Sequence, residues 1–258
     1  MSLAYATPGP LTTLDAAQLP ALAGLPDDPA GVCAAVAGLI IHPSEAGAGL
    51  GDHRHIRPMN RSLDILLALD PAPLHVVRPV ERRLVATCRH FATLATALLR
   101  AKGVPARARV GFADYFQPGL HVDHWVTEYW DGGGWVRTDP QIGRDVAEGE
   151  FLTGGEAWQR FRAGDADPQK FGVGGEPHAW GIGEIRGNAI RDLAALHRIE
   201  MLPWDEWGRM ADSYAGRTGP DYDELMDQVA EVCLKAEPES VAALYATADL
   251  AVPASMIS

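Results

Sequence analysis

Cysteine is scarce in this chain: 3 in 258 residues, at positions 33, 88 and 233. The three are widely spaced and odd in number, and no C-x-x-C occurs. A disulfide framework is therefore excluded, and a reducing compartment is expected. Long apolar runs are absent too, so no stretch has the ~20 residues that a membrane helix needs. The opening Met-Ser-Leu-Ala-Tyr-Ala-Thr-Pro-Gly-Pro has neither the basic start nor the apolar middle of a secretory signal. Basic charge is in deficit, with 22 Lys and Arg against 34 Asp and Glu and a net charge of −12. That disfavours nucleic acid and anionic membrane as partners. No repeat or low-complexity linker appears. A soluble, cytoplasmic protein is expected, and 47% apolar residues suffice for a core without staples.

Hydrophobic spacing gives the organisation. A short helix is expected after Asp15, a second over 31–41 and a third over 61–69 capped by Asn60. Residues 44–57 are rich in Gly and His and read as a loop. Prolines 71, 73 and 79 exclude a regular element just before the next helix. From Cys88 to Arg100 the apolar residues Phe91, Leu94, Ala95, Leu98 and Leu99 share one helical face. Gly103 and Pro105 end that helix. The period then changes to two. Strands are expected over 106–111, 121–130 and 135–139, with Asp131-Gly-Gly-Gly134 as a turn. Helix candidates follow near 156–161, 188–199, 221–235 and 240–250. The fold class is α+β, a helix feeding an antiparallel meander. Three parts are expected: a helical 1–79, a core over 80–163 and a C-terminal helical extension over 164–258 packed on the same domain.

The chemistry centres on Cys88. A thiol at a helix N-terminus meets unpaired backbone N–H groups and the positive end of the dipole, and both favour thiolate. A nucleophile needs a base and a group that orients it. His124 on the second strand and Asp139 on the third meet a geometric condition. A symmetric hairpin sets Val126 opposite Asp139, so alternation points His124 and Asp139 the same way. Cys88 would then attack a carbonyl carbon, His124 would carry the proton, and Asp139 would hold the imidazole tautomer. The Cys88 backbone N–H is the first oxyanion donor; a second is not evident.

At this point the chain resembles a known family. Thr87-Cys88 with the Ala-rich run to Arg100, then Gly103-Val-Pro-Ala-Arg107 and Gly111-Phe, is similar to the first half of the transglutaminase-like core. His124-Trp-Val-Thr-Glu-Tyr-Trp130 and Gly134-Trp-Val-Arg-Thr-Asp139-Pro140 are similar to its second half. The resemblance covers about residues 80–142 and is to a bacterial subgroup. It implies a papain-like Cys-His-Asp site on a helix packed against an antiparallel sheet. It also implies cysteine-dependent acyl transfer through a thioester, with hydrolysis of a peptide or amide bond as the first reading. Amide-bond formation with an amine acceptor is the second, and a catalytically silent binding protein on the same fold is the alternative from another class. The partner implied is a peptide, amide or acyl small molecule.

Other residues are weighed against plainer roles. Trp125, His90 and Asp123 are marked for substrate contact, with packing or an arginine partner for Asp123 as the plain alternative. His53 and His55 on the loop, and His121, Asp123 and His124 on the strand, suggest a metal only weakly, because the loop offers no fixed third ligand and strand alternation turns His124 away from His121 and Asp123. No metal and no cofactor are expected. His178-Ala-Trp180 imitates the family's histidine motif, but no strand and turn-borne aspartate follow it.

Overall fold

The apolar stripe that starts at Cys88 sets the first core. The computed structural model describes residues 2–257, and these divide into two units whose segments interleave along the chain. The first gathers Ser2–Ala108 and Trp125–Val146, the second Arg109–His124 and Ala147–Met256. The units therefore cut across the three sequential parts expected from composition.

In the first unit, α1 (Pro29–Ala37) starts at Pro29, and the Asp28 carboxylate accepts from the Gly31 amide at 2.6 Å. The helix stops at Gly38, short of the expected Ile41. Ile40–Ile41 instead form β1, paired in parallel with β2, Leu84–Val85. Two β-branched residues after a glycine favour that outcome. α2 (Met59–Leu69) begins behind Pro58, not behind Asn60, whose amide reaches back to Asp15. α3 (Cys88–Ala101) matches the expected helix. Phe91, Leu94, Ala95, Leu98 and Leu99 pack with Val32, Val36, Leu63, Leu66 and Tyr129 in one apolar cluster.

Strands β3 (Ala106–Ala113) and β4 (His121–Trp130) are hydrogen-bonded neighbours, and each contributes to both units. Within the first unit β4 pairs antiparallel with β5 (Trp135–Asp139), from Trp130–Trp135 to Thr127–Thr138, the register a symmetric hairpin predicts. β5 continues to β6 (Arg144–Asp145). Glu128 lies between Arg107 at 2.7 Å and Arg137 at 2.9 Å, and the Arg107 guanidinium covers the Trp135 ring at 4.0 Å.

In the second unit β3 pairs antiparallel with β7 (Phe151–Thr153), and β4 pairs in parallel with β8 (Phe171–Gly172). α4 (Gly154–Ala163) opens on a capping box between Thr153 and Glu156. α5 (Ile182–Leu196) starts six residues before the expected Asn188. Its glycines hid that turn from a propensity reading. Gly187 is needed there, since a Cβ would stand 2.3 Å from the Tyr214 hydroxyl. α6 (Met210–Tyr214), α7 (Pro220–Lys235) and α8 (Pro238–Tyr245) complete the unit. Asp192 of α5 accepts from Arg109 Nε at 3.0 Å, Arg109 Nη2 at 2.8 Å and the Val110 amide at 2.9 Å, all buried. The 178–180 motif is structural: Trp180 bridges to Gly172 and donates to the Val173 carbonyl at 2.8 Å. No described helix is long and apolar enough to cross a membrane.

Candidate active site

Cys88 opens α3 and is 7% exposed, whereas Cys33 and Cys233 are closed off altogether. Burial pushes the Cys33 thiol up to about 12, and burial carries Cys233 well above the ordinary thiol range. Both are poor nucleophiles for that reason. Thr87 occupies the N-cap position but makes no side-chain cap; its hydroxyl lies 3.3 Å from His90 Nδ1.

The segment that packs around the start of α3 is the histidine-bearing loop over 44–57. The His53 amide donates to the Val85 carbonyl at 3.0 Å, and the Val85 amide donates to His53 Nδ1 at 3.2 Å. Arg89 Nη2 donates to the Arg57 carbonyl at 2.8 Å, and His90 Nε2 sits 2.9 Å from the Ile56 carbonyl. His90 is thus a buried strut of this loop, and its pKa is driven far down by desolvation and then by Arg89. Beside the loop lies a cavity of ≈ 280 Å³ lined by Gly47, Gly49, Gly51, Asp52, Arg54 and Val85. The proline-rich 71–79 stretch is held by buried Arg78, which donates to the Leu66 and Ala72 carbonyls. Among the described residues no group of three or more His, Cys, Asp or Glu side chains is arranged to hold a metal.

Two further first-unit residues lie on the hairpin. Thr127 Oγ1 donates to the Ala92 carbonyl of α3 at 3.0 Å, and Tyr129 joins the α3 cluster. The Trp130 amide donates to the Pro105 carbonyl at 2.9 Å, past the end of α3. Running back along β4 from Trp130 therefore leads toward the Cys88 end of the helix, and Trp125 is two residues beyond Thr127 on that path. Trp125 is fully buried, and its indole Nε1 has no hydrogen-bond partner. Asp139 is fully buried at the end of β5, and its Oδ1 accepts from the Gln141 amide at 2.8 Å. The β4–β5 ladder ends at Thr127–Thr138. Plain alternation from that pair would turn Asp139 toward the Arg107 side, because Thr127 faces α3. The hairpin argument from sequence thus stops one residue short of Asp139, which pairs instead with Arg144.

In the second unit His124 is 2% exposed, and Tyr115 and Phe116 meet its ring edge-on at 6.0 and 4.8 Å. Asp123, its neighbour, turns to α5. Its Oδ1 accepts from Asn188 Nδ2 at 2.7 Å, and Asn188 Nδ2 also donates to the Gly111 carbonyl at 3.1 Å. Asn188 Oδ1 accepts from Arg191 at 3.2 Å. Arg191 donates to Glu184 at 3.2 Å and to the Tyr214 hydroxyl at 3.1 Å, and Tyr214 donates to Glu184 at 2.8 Å. The arginine partner foreseen for Asp123 is Arg191, reached through an amide. Burial raises the Glu184 carboxyl to about 7 despite Arg191. In the unfolded chain that carboxyl loses its proton near the ordinary value of 4.5. Between these two values the folded state holds more protons, so this group costs stability as pH rises. Urea melts at pH 5 and pH 7 are expected to show wild type losing stability relative to Glu184→Gln across that interval. Parallel behaviour of the two proteins would contradict it.

Residues 69–140 match the model of the transglutaminase-like superfamily, and that segment holds Cys88, His124 and Asp139. No curated protein matches the chain. Among solved structures, a cysteine-protease candidate from Cytophaga hutchinsonii is similar at 18% identity over 58% of this chain, with a TM-score of 0.38. The chain spans 44% of that protein's length.

Proposed function

We propose that this chain, which carries a transglutaminase-like core, is a thiol acyl-transfer enzyme that hydrolyses a peptide or amide bond through a thioester on Cys88. The observation that carries the reading is the placement of Cys88 at the start of α3 inside the matched segment, against two other thiols that are fully buried. Cys88 as thiolate attacks the carbonyl carbon. The imidazolium of His124 gives its proton to the leaving amine, and the released amine departs as the thioester forms. His124 then takes a proton from water, whose oxygen attacks the thioester; the acid leaves and Cys88 is restored. Asp139 holds the imidazole tautomer. Regular alternation gives Asp139 and His124 one face, opposite to the α3-facing Thr127, so for the pair to serve Cys88 both must depart from the regular β4–β5 alternation, and both lie outside its paired residues. The oxyanion takes two donors in this scheme, the Cys88 amide and the Trp125 indole N–H, the latter supported by its buried, unpartnered state. An amine in place of water gives amide-bond formation.

Selective alkylation tests the activated thiol. At pH 6, iodoacetamide is expected to label Cys88 at least ~100-fold faster than Cys33 or Cys233, read by peptide mass mapping. Equal, slow labelling of all three would sink the reading.

A further inference from the structure

The turn between β3 and β4 carries two aromatic side chains that the proposed reaction does not use. Its shape is fixed by its own residues. Pro118 and Gly119 stand at the two central positions, Gly119 has φ +79°, and the Leu120 amide donates to the Gln117 carbonyl at 3.1 Å. Proline followed by glycine favours a type II turn in that order. The Asp114 amide donates to the Glu150 carbonyl at 3.1 Å, so the other end of the segment is tied down as well. Tyr115 and Phe116 therefore stand at set positions between these ties, with ring centroids 4.8 Å apart.

Phe112, on the strand just before, is fully buried edge-on against Phe171 at 5.1 Å. Phe116 is 37% exposed, although its ring lies 4.8 Å from the closed-off ring of His124. Apolar surface left in water at that spot costs free energy that a partner group can recover. What the partner is follows from the part His124 plays. As the carbonyl carbon–nitrogen bond breaks, the imidazolium proton goes to the nitrogen, which must come within about 3 Å of the imidazole. Carbons bonded to that nitrogen then come within contact distance of a ring so close to the imidazole. An apolar ring offers them no charge and no hydrogen bond; it suits a second ring or a large aliphatic group.

We infer that Phe116, flanked by Tyr115, is a specificity-determining residue for the leaving amine: it packs on an aromatic or large apolar side chain carried by the nitrogen that His124 protonates. The substrate class narrows to peptides with such a residue immediately after the scissile bond. The inference rests on the proposed acyl transfer with His124 as its acid.

The test gives the full chain short acylated peptides in matched pairs that differ only in the residue after the scissile bond, Phe or Gly, with cleavage read by mass spectrometry. Wild type is expected to favour the Phe member by ~10-fold or more in kcat/KM. Phe116→Ala is expected to lower that ratio ~10-fold, and Phe116→Leu to keep most of it. The ties of the turn are backbone bonds, so circular dichroism is expected to stay unchanged; Phe116→Gln, polar and of similar reach, decides if the alanine variant does not fold. A ratio near one in wild type, or a ratio that Phe116→Ala leaves in place, overturns the inference while cleavage itself stands. Absence of any cleavage that depends on Cys88 sinks the acyl-transfer reading instead, and takes the inference with it.

Discussion

Cys88→Ala is expected to lower turnover of short acylated peptides and activated acyl esters by ~10⁴-fold or more, the scale on which losing a nucleophile acts. The same change abolishes any covalent adduct. Intact mass spectrometry of wild type after incubation with that pool should show the acyl group added to one thiol. Cys88→Ala should show none, and Cys33→Ala should keep the adduct. The size of the effect follows from mechanism: without sulfur no thioester forms, and only binding and oxyanion donors remain. A silent scaffold predicts unmodified wild type, and a metallohydrolase predicts activity in Cys88→Ala that chelators remove. The side chain is small and stands at a helix start, so its loss leaves the α3 stripe in place.

The largest structural effect is expected at Asp192. Asp192→Ala strips Arg109 of its bidentate partner and the Val110 amide of its acceptor, all of them buried. Removing one member of a buried pair strands a charge, which costs about 3–5 kcal/mol. For a chain of this size that corresponds to a fall in melting temperature on the order of 10 °C. Asp192→Asn keeps an acceptor oxygen and should fall between. Replacing both partners, Arg109→Met with Asp192→Leu, should recover part of the loss, since no charge is then left buried. Thermal melts followed by circular dichroism decide it; a shift under 2 °C on the order-of-magnitude scale of a surface change would refute the assignment.

Much of the first unit was legible because its signals are local. The i, i+3, i+4 stripe of α3, its glycine stop and the Gly-rich connection from Trp130 to Trp135 each determine backbone shape within a few residues. α5 was read six residues short because its first turns are rich in glycine, and those glycines answer to Tyr214, about thirty positions away. The loop that braces α3 was missed for the same kind of reason. His53 and His90 look like solvated or reactive histidines in a row of letters. Only the fold shows them held against Val85 and Ile56. Asp123 was read as turning away from His124 toward an arginine, but the intervening Asn188 had no signature in the sequence.

The interleaving of the two units bears on how the chain is made. Neither is a contiguous stretch: Ser2–Ala108 lacks its hairpin until Trp125–Val146 emerges, and Arg109–His124 waits for helices that follow Ala147. Cotranslational folding cannot finish one half before the other is begun. Closing such distant segments costs loop entropy ahead of any packing gain, and folding is slow on that account. Excising 80–163 as a minimal catalytic fragment would cut through both halves at once.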